Sequence, residues 1–180
     1  RAFRELQSKQ TTDKAFHELL VLASADPRAR YFLAVHLPAM IEADPRDPRP
    51  DRRTLVSLQW CNAVQLAGAF KIEEAIPALA KWIAINTEPR LSTQSGDWAL
   101  AGRPAGKALV EIGAPSVPTL QTLLSNPDKE KRWNAAYALM HIDTSKANVI
   151  LRDYSARGTD RALGEYVRNE FRSEAPLPTK

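Results

Sequence analysis

"KALVEIGAPSVPTLQTLLSN", residues 107–126, is the stretch whose reading decides the fold. Ala108, Leu109 and Ile112 follow helical spacing, a glycine stands at 113, and prolines at 115 and 118 accompany a second apolar stripe through Val117, Leu120 and Leu124. Glycine is a common helix terminator, and Gly113 predicts a left-handed cap that ends the first helix. Proline is tolerated in the first turn of a helix, where its missing N–H would find no intrahelical acceptor anyway. Pro115 and Pro118 therefore open a second helix, and the stretch reads as two helices joined by a tight turn.

The same hairpin recurs. A shift of 30 residues carries Ala105, Ala108, Leu109 and Ile112 onto Ala135, Ala138, Leu139 and Ile142. Beyond the turn it carries Val117, Leu120 and Leu124 onto Ala147, Ile150 and Tyr154, apolar on apolar throughout. A shift of 41 carries Ile76-Pro77-Ala78-Leu79 onto Val117-Pro118-Thr119-Leu120, the extra residues falling in the polar insertion "NTEPRLSTQSGD", residues 86–97. Self-similarity at such a period predicts stacked helical units, because one hairpin cannot bury its apolar side alone.

"AGKALVEIGAPSVPTL" (105–120), "KRWNAAYALMHIDTSKANVIL" (131–151) and "CNAVQLAGAFKIEEAIPALAKWI" (61–83) resemble the HEAT-repeat family, especially the short bacterial kind related to phycobilin-lyase HEAT-like repeats. The second copy departs from that pattern at Asp143, in place of glycine, and at Asn148, in place of proline. The resemblance implies an all-α fold: a short right-handed α-solenoid of stacked helical hairpins, with the second helices lining a concave face. It covers residues 54–157, and because the shared positions are packing positions it specifies a scaffold and says little about activity.

Working outward, helices are expected at about 54–70 and 72–86, 98–113 and 115–125, and 129–142 and 145–157. A last amphipathic helix at about 160–173 carries Leu163, Tyr166, Val167 and Phe171, and together with a loose tail makes residues 158–180 a C-terminal cap. Upstream, Phe16, Leu19, Leu20 and Ala23 form one stripe. "DPRARYFLAVHLPAMIEAD" forms a second helix, with Asp26 as N-cap and Pro27 in its first turn. Pro38 predicts a kink or break near Val35–His36. Residues 1–43 thus read as an N-terminal helical hairpin, a degenerate capping repeat. "DPRDPRPDRR", residues 44–53, reads as an extended connector.

Bulk properties bound the rest. The chain has 180 residues, 44% apolar and 26% charged, the balance of a globular domain. No apolar run is long enough to span a bilayer. The chain opens on Arg1, which reads as a trimmed or processed start. A single cysteine, Cys61, permits neither an internal disulfide nor a cysteine-based metal site. One thiol fits a reducing compartment as well as an exported protein, so cytoplasmic and exported locations both stay open. The net charge of +4 and pI near 9.3 are spread along the chain and read as a mildly basic solvated surface.

No motif points to catalysis. His17, His36 and His141 fall on three helices without shared spacing, and the His-Glu step of di-iron HEAT-like hydroxylases occurs once, at His17-Glu18. There is no phosphate-binding glycine loop and no nucleophile elbow. Glu73-Glu74 sit where a helix dipole favours them. The expectation is a protein without enzymatic activity, cofactor or metal, which binds a protein or peptide.

The repeat alignment nominates the contact residues. Lys81, Thr122 and Arg152 occupy equivalent outward positions on the second helices, and Ala84, Ser125 and Ser155 form the next row. Such a ridge suits an acidic peptide or phosphate groups. Trp82, aligned with Leu123 and Asp153, is expected to be partly exposed and to anchor a partner. Trp60 and Trp133 lie on first helices and read as packing, while Trp98 beside the 86–97 insertion is a second candidate contact. The alternative is nucleic-acid binding: some HEAT-like proteins, including a class of DNA glycosylases, hold DNA phosphates along the concave face, and Lys81, Arg152, Arg157 and Arg161 offer charge for it. A bilin lyase or cofactor chaperone follows from the family name alone, with no residue here to support it.

Overall fold

Short polar residues and prolines start the helices of this chain. The computed structural model describes residues 12–46, 57–87, 102–142 and 144–173. Among the described residues there are nine α-helices and no β-strand: α1 Thr12–Ala25, α2 Pro27–Glu42, α3 Leu58–Ala69, α4 Ile76–Lys81, α5 Pro104–Ile112, α6 Val117–Leu123, α7 Lys129–His141, α8 Ser145–Arg157 and α9 Arg161–Ser173. The Asp26 carboxylate accepts from Arg28 N at 2.8 Å and starts α2. Asp128 does the same for α7 through Glu130 N at 2.9 Å. Thr144 Oγ1 caps α8 through Ala147 N at 3.1 Å, and Asp160 caps α9 through Leu163 N at 3.1 Å. Each such cap stabilises its helix by about 1 kcal/mol.

The helix ends differ in mechanism. At the end of α3, Lys71 N donates to Gly68 O at 3.0 Å and Ile72 N to Ala67 O at 2.9 Å, the paired bonds of a Schellman turn. That turn needs a left-handed residue, and Lys71 supplies it at φ +52°. At the end of α5, Gly113 has the expected positive φ, +84°, but its ψ is −135°. This is an extended glycine conformation and not the left-handed cap expected from the sequence. The turn after it explains the difference: Ser116 N donates to Gly113 O at 2.9 Å, so the chain must swing at once into the 3-10 turn Ala114–Ser116 that leads into α6.

Three helices depart from their expected form, and one of them, α5, starts at Pro104 and not at the expected 98. α2 runs unbroken through Pro38 although that ring removes a donor from the ladder. Leu33, Leu37 and Ile41 form one fully buried stripe on both sides of the proline, and this packing holds the helix together. α4 is much shorter than the expected 72–86. It is preceded by a 3-10 turn at Glu73–Ala75 and ends at Lys81, beyond which Trp82 N and Ile85 N make tighter turn bonds to Leu79 O and Trp82 O. Pro118 occupies the first turn of α6, as expected, and Pro77 occupies the first turn of α4 because that helix starts at Ile76 and not at 72. Most of the 86–97 insertion and of the 44–53 connector lies outside the described residues, and the backbone N–H of Thr87, in the described start of the insertion, donates to Gly102 O at 2.8 Å.

Neighbouring helices pack in two series. α1, α3, α5 and α7 touch in succession, as do α2, α4, α6 and α8, and α9 packs on α8. Small residues permit this. Ala63 and Ala67 on α3, Ala105 and Ala108 on α5, and Ala135, Ala136 and Ala138 on α7 are all buried. α3 and α5 approach closely at Gly68, where a methyl group would lie 3.0 Å from the Ala108 Cα and would also meet the Glu111 carboxylate. Leu66, Leu79, Leu109, Leu120, Leu139, Leu151 and Leu163 fill the space between helices and are fully buried. Trp60 is buried as well and donates its indole N–H to Ile41 O at 3.0 Å, tying α3 to the end of α2.

Candidate functional site

Apart from Trp98, the nominated contact residues sit on α4, α6 and α8 or just beyond their ends, and these three helices touch in succession. The structure binds two of them into the fold. Lys81 Nζ donates to Glu42 O at 3.1 Å and also pairs with the Glu42 carboxylate. Trp82 is half-buried, its indole N–H lies 3.4 Å from the same carbonyl, and Lys81 Nζ stands 5.0 Å from the Trp82 ring centre. Glu42 is the last residue of α2, where carbonyls lack intrahelical partners and the helix dipole attracts a cation. Lys81 and Trp82 therefore clasp the C-terminus of α2.

Thr122 and Ser125 are exposed near the end of α6. The Thr122 hydroxyl donates to Pro118 O at 3.1 Å, and Ser125 N donates to Thr122 O at 3.2 Å. Arg152 is exposed on α8, and its carbonyl accepts from the half-buried Ser155 hydroxyl at 2.8 Å. Trp98 lies outside the described residues. The basic residues that would favour nucleic acid are largely matched by carboxylates: Lys81 by Glu42, Arg157 by Asp153 at 3.1 Å, and Arg161 by Glu165 at 3.1 Å.

The remaining chemistry is structural. Cys61 is desolvated by burial, which pushes its thiol pKa up to about 11 and leaves almost no thiolate at neutral pH. Among the described residues no group of three or more His, Cys, Asp or Glu side chains comes together in a way that could hold a metal ion. Nor is any described helix long and apolar enough to cross a membrane. Arg132 donates to Asn126 O and Pro127 O, both at 2.9 Å, and to the Asp160 carboxylate at 2.9 Å. It thereby fastens the α6–α7 turn to the start of α9. The hydrogen bond from Arg132 holds the Asp160 carboxyl below its ordinary range, against the opposing effect of burial.

Two surface features escape the repeat alignment. One is an aromatic row on α7. Trp133 and Tyr137 flank Tyr166 of α9 with ring centres 5.5 and 5.6 Å away, and the Tyr166 hydroxyl donates to that of Tyr137 at 2.7 Å. Burial, reinforced by the Tyr137 hydrogen bond, raises the Tyr166 pKa. The spacing of Trp133, Tyr137 and His141, four residues apart, was a readable signal for this row. The other is apolar exposure on α1 and α2: Val21 is 69% exposed, Leu22 50%, Tyr31 73%, Phe32 43% and Val35 54%. In sequence these lie within apolar runs such as "YFLAV", where exposed and buried positions look alike.

Comparison with protein-family models, with curated proteins and with solved structures finds no match to this chain.

Proposed function

We propose that the chain is a HEAT-like helical-repeat module, a short right-handed α-solenoid, that acts as a non-enzymatic scaffold or adaptor. It binds a protein or peptide along the face of its second helices α4, α6 and α8. One observation carries the reading: these helices touch in succession and leave Thr122 and Arg152 exposed at equivalent repeat positions. Helices pack about 10 Å apart, so three of them offer roughly 20 Å of ridge, enough for an extended peptide of about six residues. The cation–carboxylate pairs described above lower the positive potential that phosphate contacts would require, and this favours a peptide over nucleic acid.

Photo-crosslinking tests the reading. A crosslinker at Thr122 or Arg152 should capture one defined partner, and one at the exposed Gln65 of α3 should not. Arg152→Glu should weaken the capture at Thr122. Equal capture at all three sites, or none at any of them, refutes the proposal, as does turnover of a small molecule by the purified chain. A salt-sensitive gel shift with duplex DNA would favour the nucleic-acid alternative instead.

A further inference from the structure

Tyr137 and Tyr166 form a pair whose chemistry the scaffold reading does not use. They lie 29 positions apart, on α7 and α9, and both are half-buried. Their rings are inclined at 26° with centres 5.6 Å apart, while their hydroxyl oxygens are separated by 2.7 Å. The rings therefore converge toward their hydroxyl ends. One ortho carbon of each ring, next to the C–O carbon, is thereby brought nearer to its counterpart than the ring centres are. Among the described residues no second phenol ring lies against either of the other two tyrosines. Tyr31 stands 73% exposed on α2, and Tyr154 sits beside Asp160 and Arg132.

The surroundings favour oxidation at this pair. Trp133 lies beside Tyr166 with ring centres 5.5 Å apart, so the indole and the two phenols form one aromatic row. The Lys129 ammonium stands 5.8 Å from the Trp133 ring centre and opposes a positive charge there. A phenol escapes that penalty by giving up a proton together with its electron. Burial, reinforced by the Tyr137 hydrogen bond, keeps Tyr166 protonated at neutral pH, and the Glu170 carboxylate lies within hydrogen-bonding reach of the same hydroxyl to accept the proton.

We propose that Tyr137 and Tyr166 are a site of oxidative coupling, at which a one-electron oxidant of the peroxyl-radical class joins the two rings as dityrosine. Two equivalents of oxidant each take one electron. Tyr166 yields its phenolic proton to Glu170 and Tyr137 yields its own to water, leaving two phenoxyl radicals. A carbon–carbon bond forms between the facing ortho carbons, and the hydrogens on those carbons move to the phenoxyl oxygens, which restores both aromatic rings. The chain loses two hydrogen atoms overall, and each peroxyl radical leaves as a hydroperoxide. The new bond ties α9 to α7 covalently. This inference is independent of the second-helix reading, since it uses residues of other helices.

Exposing the dilute full chain to peroxyl radicals from a water-soluble azo initiator tests it. The monomer should gain dityrosine fluorescence and lose two hydrogens by mass spectrometry. Its digest should contain one cross-linked pair of peptides, holding Tyr137 and Tyr166. Tyr137→Phe and Tyr166→Phe, which keep the rings and should leave the helical circular dichroism unchanged, should each abolish the product, and Tyr31→Phe should leave its yield unaltered. Oxidation in urea should lower the yield about tenfold or more, because the unfolded chain must close the intervening loop by chance. The cross-linked chain should unfold at higher urea than the untreated one. A cross-link through Tyr31 or Tyr154 in its place, an equal yield in urea, or a monomer that is oxidised without any cross-link overturns the proposal.

Discussion

Two glycines within helices, changed in the same way, should shift stability in opposite directions. Gly68 lies in α3 and Gly164 in α9. Replacing a helical glycine by alanine stabilises a helix by about 0.5–1 kcal/mol, because the unfolded chain loses conformational freedom and the helix gains a favourable residue. At Gly164 the added methyl would meet Ser155 O at 3.4 Å and Ser155 Cα at 3.7 Å, ordinary contacts. Gly164→Ala should therefore stabilise by about 0.5 kcal/mol or slightly more. At Gly68 the methyl would lie 3.0 Å from the Ala108 Cα and 3.2 Å from its Cβ, and would displace the Glu111 carboxylate. The carboxylate can swing away, but the α5 backbone cannot, because Leu109 and Ile112 fix that helix in the core. Overpacking of this kind costs about 1–3 kcal/mol, while the propensity gain is reduced so near the end of α3. Gly68→Ala should destabilise by about 1–2 kcal/mol. Urea unfolding followed by circular dichroism at 222 nm resolves the resulting gap of about 2 kcal/mol, which is roughly 4–8 °C in Tm for a domain of this size. Two stabilising substitutions would refute the close α3–α5 approach, and two destabilising ones would refute the ordinary spacing between Gly164 and Ser155.

Three further outcomes are expected. Positive φ separates two sites: Gly113→Ala should cost about 1–3 kcal/mol, since its φ of +84° with ψ −135° is accessible to glycine alone, whereas Lys71→Gly should stabilise by about 0.5–1 kcal/mol at the left-handed position of the Schellman turn. Asp160→Asn should lower stability at pH 7 by about 2 kcal/mol, the scale of a charge-assisted bond at a mostly buried site. Because the folded carboxyl titrates below its ordinary value, its contribution is fully present above the unfolded carboxylate pKa and fades as pH falls. The gap between wild type and variant should accordingly narrow in urea titrations below about pH 4, and a gap constant from pH 7 to pH 2.5 would contradict the Arg132–Asp160 pairing. With its thiol raised from 9.0 to about 11, Cys61 should react with iodoacetamide at pH 8 about 100-fold more slowly in the native chain than in urea; equal rates would show that the thiol is not buried.

Much of this architecture is local, and local features can be read from the chain. Asp26-Pro27, Asp128 and Thr144 start helices through bonds to residues two or three positions away, so the sequence alone suffices to place α2, α7 and α8. The apolar period likewise distinguishes helix from strand across the described residues, and the 30-residue self-similarity nominates equivalent positions. The errors lie where a residue's state depends on something distant. Pro38 predicts a kink or break when only its own helix is considered; α2 is not broken there, and Leu33, Leu37 and Ile41 are buried on both sides of it. Alignment assigns Lys81 to an open ridge, yet its partner Glu42 is 39 positions away and belongs to a helix outside the repeat comparison. Tyr31, Phe32 and Val35 are apolar, as a buried helix requires, yet α2 buries Leu33, Leu37 and Ile41 and leaves these three exposed. The sequence by itself determined that the described chain is helical and where α2 is capped, because these depend on hydrogen bonds and periodicities spanning a few residues. The tertiary structure alone decided which outward positions remain available to a partner, because exposure is set by the neighbours that chain folding brings from tens of residues away.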